Sequence, residues 1–149
     1  MYSQKVRPQT TINVPREEVF DFLVNPQQIP LVLPGLIENT DVPELPLKVG
    51  DTFTYHYQVS GVMLEGTWTI TELEKPSVYA ARTTGGGDSE WRYTLRDEGK
   101  GTHLDLTVTY DPPKSVLQKI QVGVLEKIVE KDAETYMQNL KTLLENRGS

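Results

Sequence analysis

Residues 111–146 read DPPKSVLQKIQVGVLEKIVEKDAETYMQNLKTLLEN, and no other part of the chain limits the possible folds as strongly. Apolar residues recur along it at helical spacing, so the pattern predicts one continuous helix. Asp111 is the expected N-cap, and Pro112 and Pro113 would occupy the first turn. A helix of this length would span roughly 50 Å, which is longer than a small domain is wide. We therefore expect it to lie across a broad partner.

This predicted helix carries two different apolar stripes. Gly123 stands just before the change from the first stripe to the second, so we expect a bend or a second contact surface there. We expect the first half to roof a cavity and the second half to pack tightly on a sheet, although a helix that merely fills its groove would show the same pattern. The first stripe comprises Val116, Leu117, Ile120, Val124 and Ile128, and the second comprises Val129, Ala133, Tyr136, Met137, Leu140 and Leu144.

The partner predicted for the helix is an antiparallel sheet. A first strand is predicted over residues 4–14, and six more follow from residue 36. Glycine-rich turns at residues 85–88 and 97–101 indicate consecutive hairpins. Apolar and polar residues alternate with period two in the last five strands, which places one apolar, aromatic face opposite a polar one. These five strands are predicted at residues 53–59, 64–70, 79–83, 91–95 and 104–110.

Two short helical segments are predicted between the first and second strands. Pro15, Glu17 and Glu18 suit the start of a helix, where backbone N–H groups are free. A second helical turn is expected over residues 27–33. The predicted fold class is therefore α+β: a seven-stranded curved antiparallel sheet wrapped around a long C-terminal helix, with two short helices after strand 1.

Composition narrows the range of partners and sites. The 149 residues carry a net charge of −6, and lysine and arginine never cluster beyond a pair, so nucleic acid is not an expected partner. No stretch approaches the roughly 20 apolar residues that span a bilayer, so we expect no stable membrane insertion and a soluble, cytoplasmic protein. Two histidines and no cysteine leave no metal-binding spacing, and nothing indicates a cofactor.

Several segments together resemble one known family. In its order and spacing of motifs, the chain resembles the polyketide cyclase/dehydrase and lipid-transport branch of the START-like, helix-grip superfamily (SRPBCC). The resemblance extends over essentially the whole chain. The segments that carry it are INVPREEVFDFL at 12–23, NP at 25–26, LPG at 33–35, WTITELEKP at 68–76, WRYTL at 91–95 and NLKTLLE at 139–145.

This resemblance implies a single START-like ligand-binding domain over residues 1–149, in which the sheet grips the C-terminal helix and an apolar pocket lies between them. It implies no fixed catalytic residues, because members of the superfamily range from lipid carriers to cyclases and hydrolases. Fold alone therefore does not settle the function.

The inward register of the strands predicts which residues would line such a pocket. Aromatic rings dominate the set, and their hydroxyl and indole groups suit a planar or amphipathic ligand with a few polar atoms. The same side chains could instead simply fill the core. The predicted ligand-binding residues are Phe53, Tyr55, Tyr57, Trp68, Tyr79, Trp91, Tyr93, Tyr110, Ile120, Val124 and Ile128.

Candidates for acid–base chemistry are few. Asp132 lies at the edge of the apolar stripe, one turn before Tyr136, and a carboxylate forced toward a pocket would have a raised pKa. The alternative, which the position favours, is that Asp132 is a solvated residue at the flank of the helix or the partner of a basic side chain. His56 and His103 fall on the outward register of their strands, so neither is expected to act in catalysis.

Three functions remain compatible with the sequence. The leading hypothesis is a carrier or sensor that binds a small hydrophobic or amphipathic molecule, such as a lipid, polyketide or aromatic compound, between sheet and helix. The second is an enzyme similar to the polyketide cyclases or dehydratases, using Tyr136 or Asp132. The third is a protein-interaction module resembling the chaperone activators of the superfamily, with a filled core and an exposed apolar patch in place of a cavity. The exposed edge of the second strand allows either a monomer or a homodimer.

Overall fold

Strands β1 to β8 form one antiparallel sheet in the computed structural model, which describes residues 3–147. Their bounds are β1 Gln4–Val6, β2 Gln9–Ile12, β3 Leu36–Thr40, β4 Thr52–Val59, β5 Val62–Glu74, β6 Val78–Thr84, β7 Asp88–Glu98 and β8 Gly101–Asp111. The order across the sheet is β1-β8-β7-β6-β5-β4-β3, and β2 also pairs with β8. From β3 to β8, strands adjacent in the chain are adjacent in the sheet, so this part is a meander of hairpins.

Residues with positive φ make the tight turns that join the strands of these hairpins. Gly85 and Gly87 lie between β6 and β7, and Gly99 lies between β7 and β8, as the glycine pattern predicts. Ser60 and Gly61 have φ of 46° and 82° between β4 and β5, which matches the two-residue turn whose twist suits antiparallel strands. These turns hold the register in which the aromatic residues share the inner face.

The first strand differs from the prediction, since two short strands replace one. Pro8 lies between β1 and β2 and has no N–H to give to a ladder. Its carbonyl still accepts a hydrogen bond from the Leu106 N–H at 3.0 Å, so the chain stays beside β8 through the interruption. The described sheet therefore has eight strands where seven were predicted.

The two short helical elements after β2 are confirmed. Helix α1 spans Arg16–Leu23 and a 3-10 helix spans Ile29–Leu31. Glu17 and Glu18 lie in the first turn of α1, where the positive end of the helix dipole favours acids. The side chains that α1 buries close one end of the core: Val19, Phe20, Phe22 and Leu23.

The prediction of one continuous closing helix is wrong. Helix α2 spans Lys114–Leu117, the chain then leaves the helical conformation, and helix α3 spans Val122–Arg147. Asp111 is not an N-cap, because it is the last residue of β8 and pairs with Asp88. The interruption also comes before Gly123, where the bend was expected.

Packing explains the interruption. Val116 and Leu125 are both fully buried in one hydrophobic cluster. On a continuous helix, nine residues at about 100° each would point these two side chains in opposite directions. The break between α2 and α3 changes the phase of the second helix, so both side chains reach the same cluster.

The core consists of two clusters under α3. The larger one joins the second half of α3, through residues such as Tyr136 and Leu140, to the inner face of the sheet. The smaller one comprises Val59, Val62, Leu64, Val116, Ile120 and Leu125. The predicted α+β helix-grip class is thus confirmed. Within residues 3–147, no helix is long and apolar enough to cross a membrane.

Candidate functional site

A cavity of about 140 Å³ lies between the inner face of the sheet and α3. Both hydrophobic clusters contribute to its wall, which is predominantly apolar. Residues from α1 and the 3-10 helix, such as Leu23 and Ile29, close one end. The long helix therefore does not simply fill its groove.

Most of the residues predicted to line a pocket do so. All eight aromatic residues of the predicted set are in the wall, and so are Ile128, Asp132 and Tyr136. The aromatic members are Phe53, Tyr55, Tyr57, Trp68, Tyr79, Trp91, Tyr93 and Tyr110. Their contact with a ligand remains a prediction.

Two predicted lining residues are misplaced. Val124 is 50% exposed, and Ile120 packs in the smaller cluster without reaching the cavity wall. Leu125, fully buried, takes the inward position instead, together with Val129 and Ala133. The break before α3 causes the difference, because it rotates the helix so that the residue after Val124 faces inward.

The aromatic side chains pack on one another as well as on the cavity. Trp68 lies between Phe53 and Trp91, with ring centroids 5.9 and 5.3 Å away. Tyr79 and Tyr93 are stacked at 5.3 Å with an angle of 10° between their planes. Such contacts restrict the rings, so this part of the wall is preorganised.

The deepest polar groups of this wall are paired with each other. The hydroxyls of Tyr93 and Tyr136 lie 2.7 Å apart, and the indole N–H of Trp68 donates to the hydroxyl of Tyr79 at 2.9 Å. Burial raises the pKa of Tyr79, Tyr93 and Tyr136, so all three phenols are neutral at physiological pH. Tyr136 is therefore poorly suited to act as a base.

A second polar group lies where β6 meets β7. The Trp91 indole N–H donates to Ser89 Oγ at 2.9 Å, and Ser89 Oγ is hydrogen-bonded to Thr83 Oγ1. The hydroxyl of Tyr55 accepts a hydrogen bond from the Gly86 N–H at 3.0 Å. Sequence reasoning missed Ser89 and Thr83, although their inward register was readable from the alternation in β6 and β7.

Tyr57 and Asp132 form a polar pair that the protein leaves open. Within residues 3–147, the Tyr57 hydroxyl has no hydrogen-bond partner and the Asp132 carboxylate has no ion pair. Partial burial raises the pKa of Asp132, against the opposing effect of Lys131. Burial also raises the pKa of Tyr57, and the negative charge of nearby Asp132 raises it further. These two groups are available to a bound molecule.

Asn39 on β3 is a third polar feature that sequence reasoning missed. Its amide nitrogen donates to the Pro26 carbonyl at 2.8 Å, while its side-chain oxygen is buried without a partner among residues 3–147. The pairing of β3 with β4 shifts register between Leu36 and Glu38. A regular alternation starting from the inward Leu36 would have marked Asn39 as outward, and this irregularity turns it inward.

The two histidines are on the outer face of the sheet, as predicted. His56 lies 2.9 Å from Thr40 Oγ1, and His103 lies between Glu98 and Asp105, at 3.6 and 3.4 Å. Neither histidine lines the cavity. Arg92 pairs with Glu72 at 2.7 Å in a surface salt bridge. Acid–base chemistry in the cavity would therefore depend on Asp132 and the tyrosines.

Comparison with known proteins gives one family and a consistent fold. Residues 3–145 match the model of a family described as polyketide cyclase/dehydrase and lipid transport. No curated protein matches the sequence. Among solved structures, the Zhui aromatase/cyclase from Streptomyces sp. R1128 has 16% identity and a TM-score of 0.79, with 99% of this chain and 97% of that one covered.

Two further structures agree. TTHA0849 from Thermus thermophilus has 16% identity and a TM-score of 0.78, over 98% of this chain and 100% of that one. Ara h 8.0201 has 13% identity and a TM-score of 0.67, over 96% of this chain and 98% of that one. At these identities the likeness establishes the fold alone.

Proposed function

This chain belongs to the polyketide cyclase/dehydrase and lipid transport family, and from that premise we propose that it binds a small apolar or amphipathic molecule in the cavity under α3. The observation that carries the proposal is the cavity itself, with its aromatic wall. Burial of an apolar ligand there would be driven by desolvation.

The size of the cavity indicates the size of the ligand. At about 140 Å³ it is close to the dry cavity of about 150 Å³ that is known to bind benzene in an engineered protein. Ligand pockets for larger molecules usually measure about 300 to 1,000 Å³. A ligand with one aromatic ring therefore fits the observed space, whereas a long acyl or polyketide chain would need a larger cavity than this one.

A matched pair of variants tests whether a ligand occupies this space. Ala133 lines the cavity, and Ala133→Phe would fill part of it. Glu134, the next residue, is exposed, so Glu134→Phe adds the same ring outside. Native mass spectrometry of gently purified protein, followed by solvent extraction, would measure any compound that co-purifies. We expect a compound near one per chain in the wild type and in E134F, and its loss in A133F.

Two results would contradict binding in the cavity. One is a mass equal to that of the bare chain, together with no thermal shift on addition of benzene, toluene or phenol. The other is equal loss of the compound in A133F and E134F. Circular dichroism of both variants would show that each is folded.

Proton transfer on a bound carbonyl compound is a second candidate function. It is favoured by the open pair of Tyr57 and Asp132, because a carboxylate with a raised pKa is a stronger base. Asp132 would remove a proton next to the carbonyl, and the neutral Tyr57 phenol would donate a hydrogen bond to the oxygen that gains charge. The structural likeness to the Zhui aromatase/cyclase adds support only through the shared fold.

Solvent exchange offers a direct assay for this second candidate. We expect the wild type to accelerate deuterium incorporation into the methyl group of acetophenone above the rate in buffer. Asp132→Asn should lose that acceleration while still binding acetophenone. A wild-type rate equal to the rate in buffer would remove this function and leave the binding proposal untouched.

The third hypothesis, a protein-interaction module, receives the least support. It predicts a filled core, and the cavity between the two hydrophobic clusters does not match that expectation. The cavity therefore favours a small-molecule ligand over a protein partner.

A further inference from the structure

The side-chain amide of Asn39 has a single possible orientation. Its nitrogen donates to the Pro26 carbonyl at 2.8 Å. A flipped amide would place two oxygens against each other at that distance, so the carbonyl oxygen must be the atom that points away from Pro26. Asn39 is 8% exposed and belongs to the cavity wall.

The oxygen of this amide has no hydrogen-bond partner among residues 3–147. Buried acceptors are nearly always paired, because an unpaired one loses its hydration without compensation. Its cross-strand neighbour is Tyr55, whose hydroxyl accepts a hydrogen bond from the Gly86 N–H and makes another with Thr83. The rest of the wall at this end is apolar and includes Ile29, Leu36 and Phe53.

An ordered water is a poor explanation for this unpaired oxygen. A buried water needs two to four polar partners. At this end of the cavity, the acceptor left open within residues 3–147 is the Asn39 oxygen itself. The second open position lies elsewhere, because Tyr57 is two residues beyond Tyr55 on β4 and Asp132 is on α3. The geometry is better suited to a ligand that brings its own donor on an apolar body.

We infer that Asn39 is the acceptor of a polar subsite that selects ligands carrying an O–H or N–H donor on a small aromatic body. This inference rests on the proposed binding function and defines its ligand class more narrowly. A phenol satisfies the Asn39 oxygen, whereas a compound that presents only acceptor atoms to it, such as an ether or a carboxylate, binds more weakly.

Phenol and toluene are suitable probes, because both have a benzene ring and they differ only in its substituent, which is a hydroxyl in phenol and a methyl group in toluene. Their dissociation constants would be measured by NMR titration with the wild type and with Asn39→Leu. The quantity of interest is the preference for phenol, defined as the toluene constant divided by the phenol constant. Loss of one hydrogen bond predicts that this preference falls by about five- to tenfold in N39L.

Asn139→Leu is the matched control. The Asn139 amide also donates to a backbone carbonyl, that of Val32 at 2.9 Å, but Asn139 is not in the cavity wall. The preference for phenol should therefore remain at the wild-type value in N139L. An equal fall in both variants would mean that the effect is structural and would overturn the inference.

A second measurement uses the wild type alone, in case N39L fails to fold. The side-chain carbonyl carbon of Asn39 should shift downfield when phenol binds and should not when toluene binds, because only phenol donates to its oxygen. The subsite inference would be overturned if phenol and toluene gave the same Asn39 carbonyl shift. It would also be overturned if the preference for phenol were unchanged in N39L but lowered in Tyr57→Phe. If toluene binds in either case, the proposed function stands. If neither probe binds, the proposed function fails as well.

Discussion

The hydroxyl oxygens of Tyr93 and Tyr136 lie 2.7 Å apart, and their rings meet edge to face at 89°. Tyr93 is in the centre of β7 and Tyr136 is in the second half of α3, so this bond connects the middle of the sheet to the helix that crosses it. Both side chains are buried. The pair therefore sets the distance between the two layers that enclose the cavity.

Removal of either hydroxyl should destabilise the protein. In Tyr136→Phe the hydroxyl of Tyr93 stays buried without its partner, which should lower the free energy of unfolding by about 1–3 kcal/mol. Tyr93→Phe should lower it by a similar amount, because the hydroxyl of Tyr136 then loses its partner. Replacing both tyrosines removes the unpaired group, so the double variant should be little worse than either single one. Urea unfolding of all four proteins would measure the coupling. Strictly additive losses would mean that the two hydroxyls do not depend on each other.

Leu125 and Val124 offer a test of how α3 is oriented. Leu125→Ala should cost about 2–5 kcal/mol, because a fully buried side chain is truncated beside the cavity. Val124→Ala should change the free energy of unfolding by no more than about 0.5 kcal/mol, since Val124 is half exposed. Denaturant unfolding would compare them. The reverse ranking would restore the continuous helix that was predicted from the sequence.

Asp132 should make stability depend on pH. Its pKa in the folded protein is raised above the ordinary value of 3.8, so the folded state holds the proton more tightly than the unfolded state does. The resulting stabilisation is complete below pH 3.8 and is lost as the pH rises through the folded pKa. Asp132→Asn cannot titrate.

Melting temperatures of the wild type and D132N, measured from about pH 3 to about pH 8, would test this linkage. The melting temperature of D132N should rise relative to that of the wild type as the pH increases, and the difference should then level off above the folded pKa. A difference that does not change with pH would indicate that Asp132 is solvated.

Gly66 and Gly123 should respond in opposite ways to alanine. A Cβ at Gly66 would meet the Thr84 carbonyl oxygen and would come within 2.5 Å of the Tyr55 hydroxyl, so Gly66→Ala should be strongly destabilising and should disturb the cavity wall. A Cβ at Gly123 would meet no atom within 4 Å, and alanine favours the helix there. Gly123→Ala should raise stability by about 0.5 kcal/mol in thermal unfolding. Equal effects of the two changes would contradict the close packing of β5 against β6.

Much of the fold was predictable because its signals are local. The alternation of apolar and polar residues in β4 to β8 places Tyr55, Trp68 and Tyr93 on one face whatever the rest of the chain does. Glycine at the hairpin turns and acids at the start of α1 also act within a few residues. The aromatic wall of the cavity follows from these patterns, which is why all eight of its predicted aromatic members are in place.

The errors come from interactions between distant residues. Helical spacing continues through residues 118–121, but Val116 and Leu125 can enter one cluster only if the helix is interrupted there. No conformational preference of the residues near the break indicates that requirement. Asn39 was missed for a similar reason, since its inward direction depends on a register shift between two strands and on the Pro26 carbonyl, 13 residues away in the chain.

The sequence by itself therefore determined the antiparallel sheet, its aromatic face, the crossing helix and the family, because period, turn chemistry and motif order are properties of short segments read in sequence. Only the tertiary structure decided which face of α3 covers the cavity, how large that cavity is, and which polar atoms within it are left without partners. Those features depend on how much volume stays unfilled, and which polar atoms stay unpaired, after distant segments have packed together. Both are determined by the whole fold.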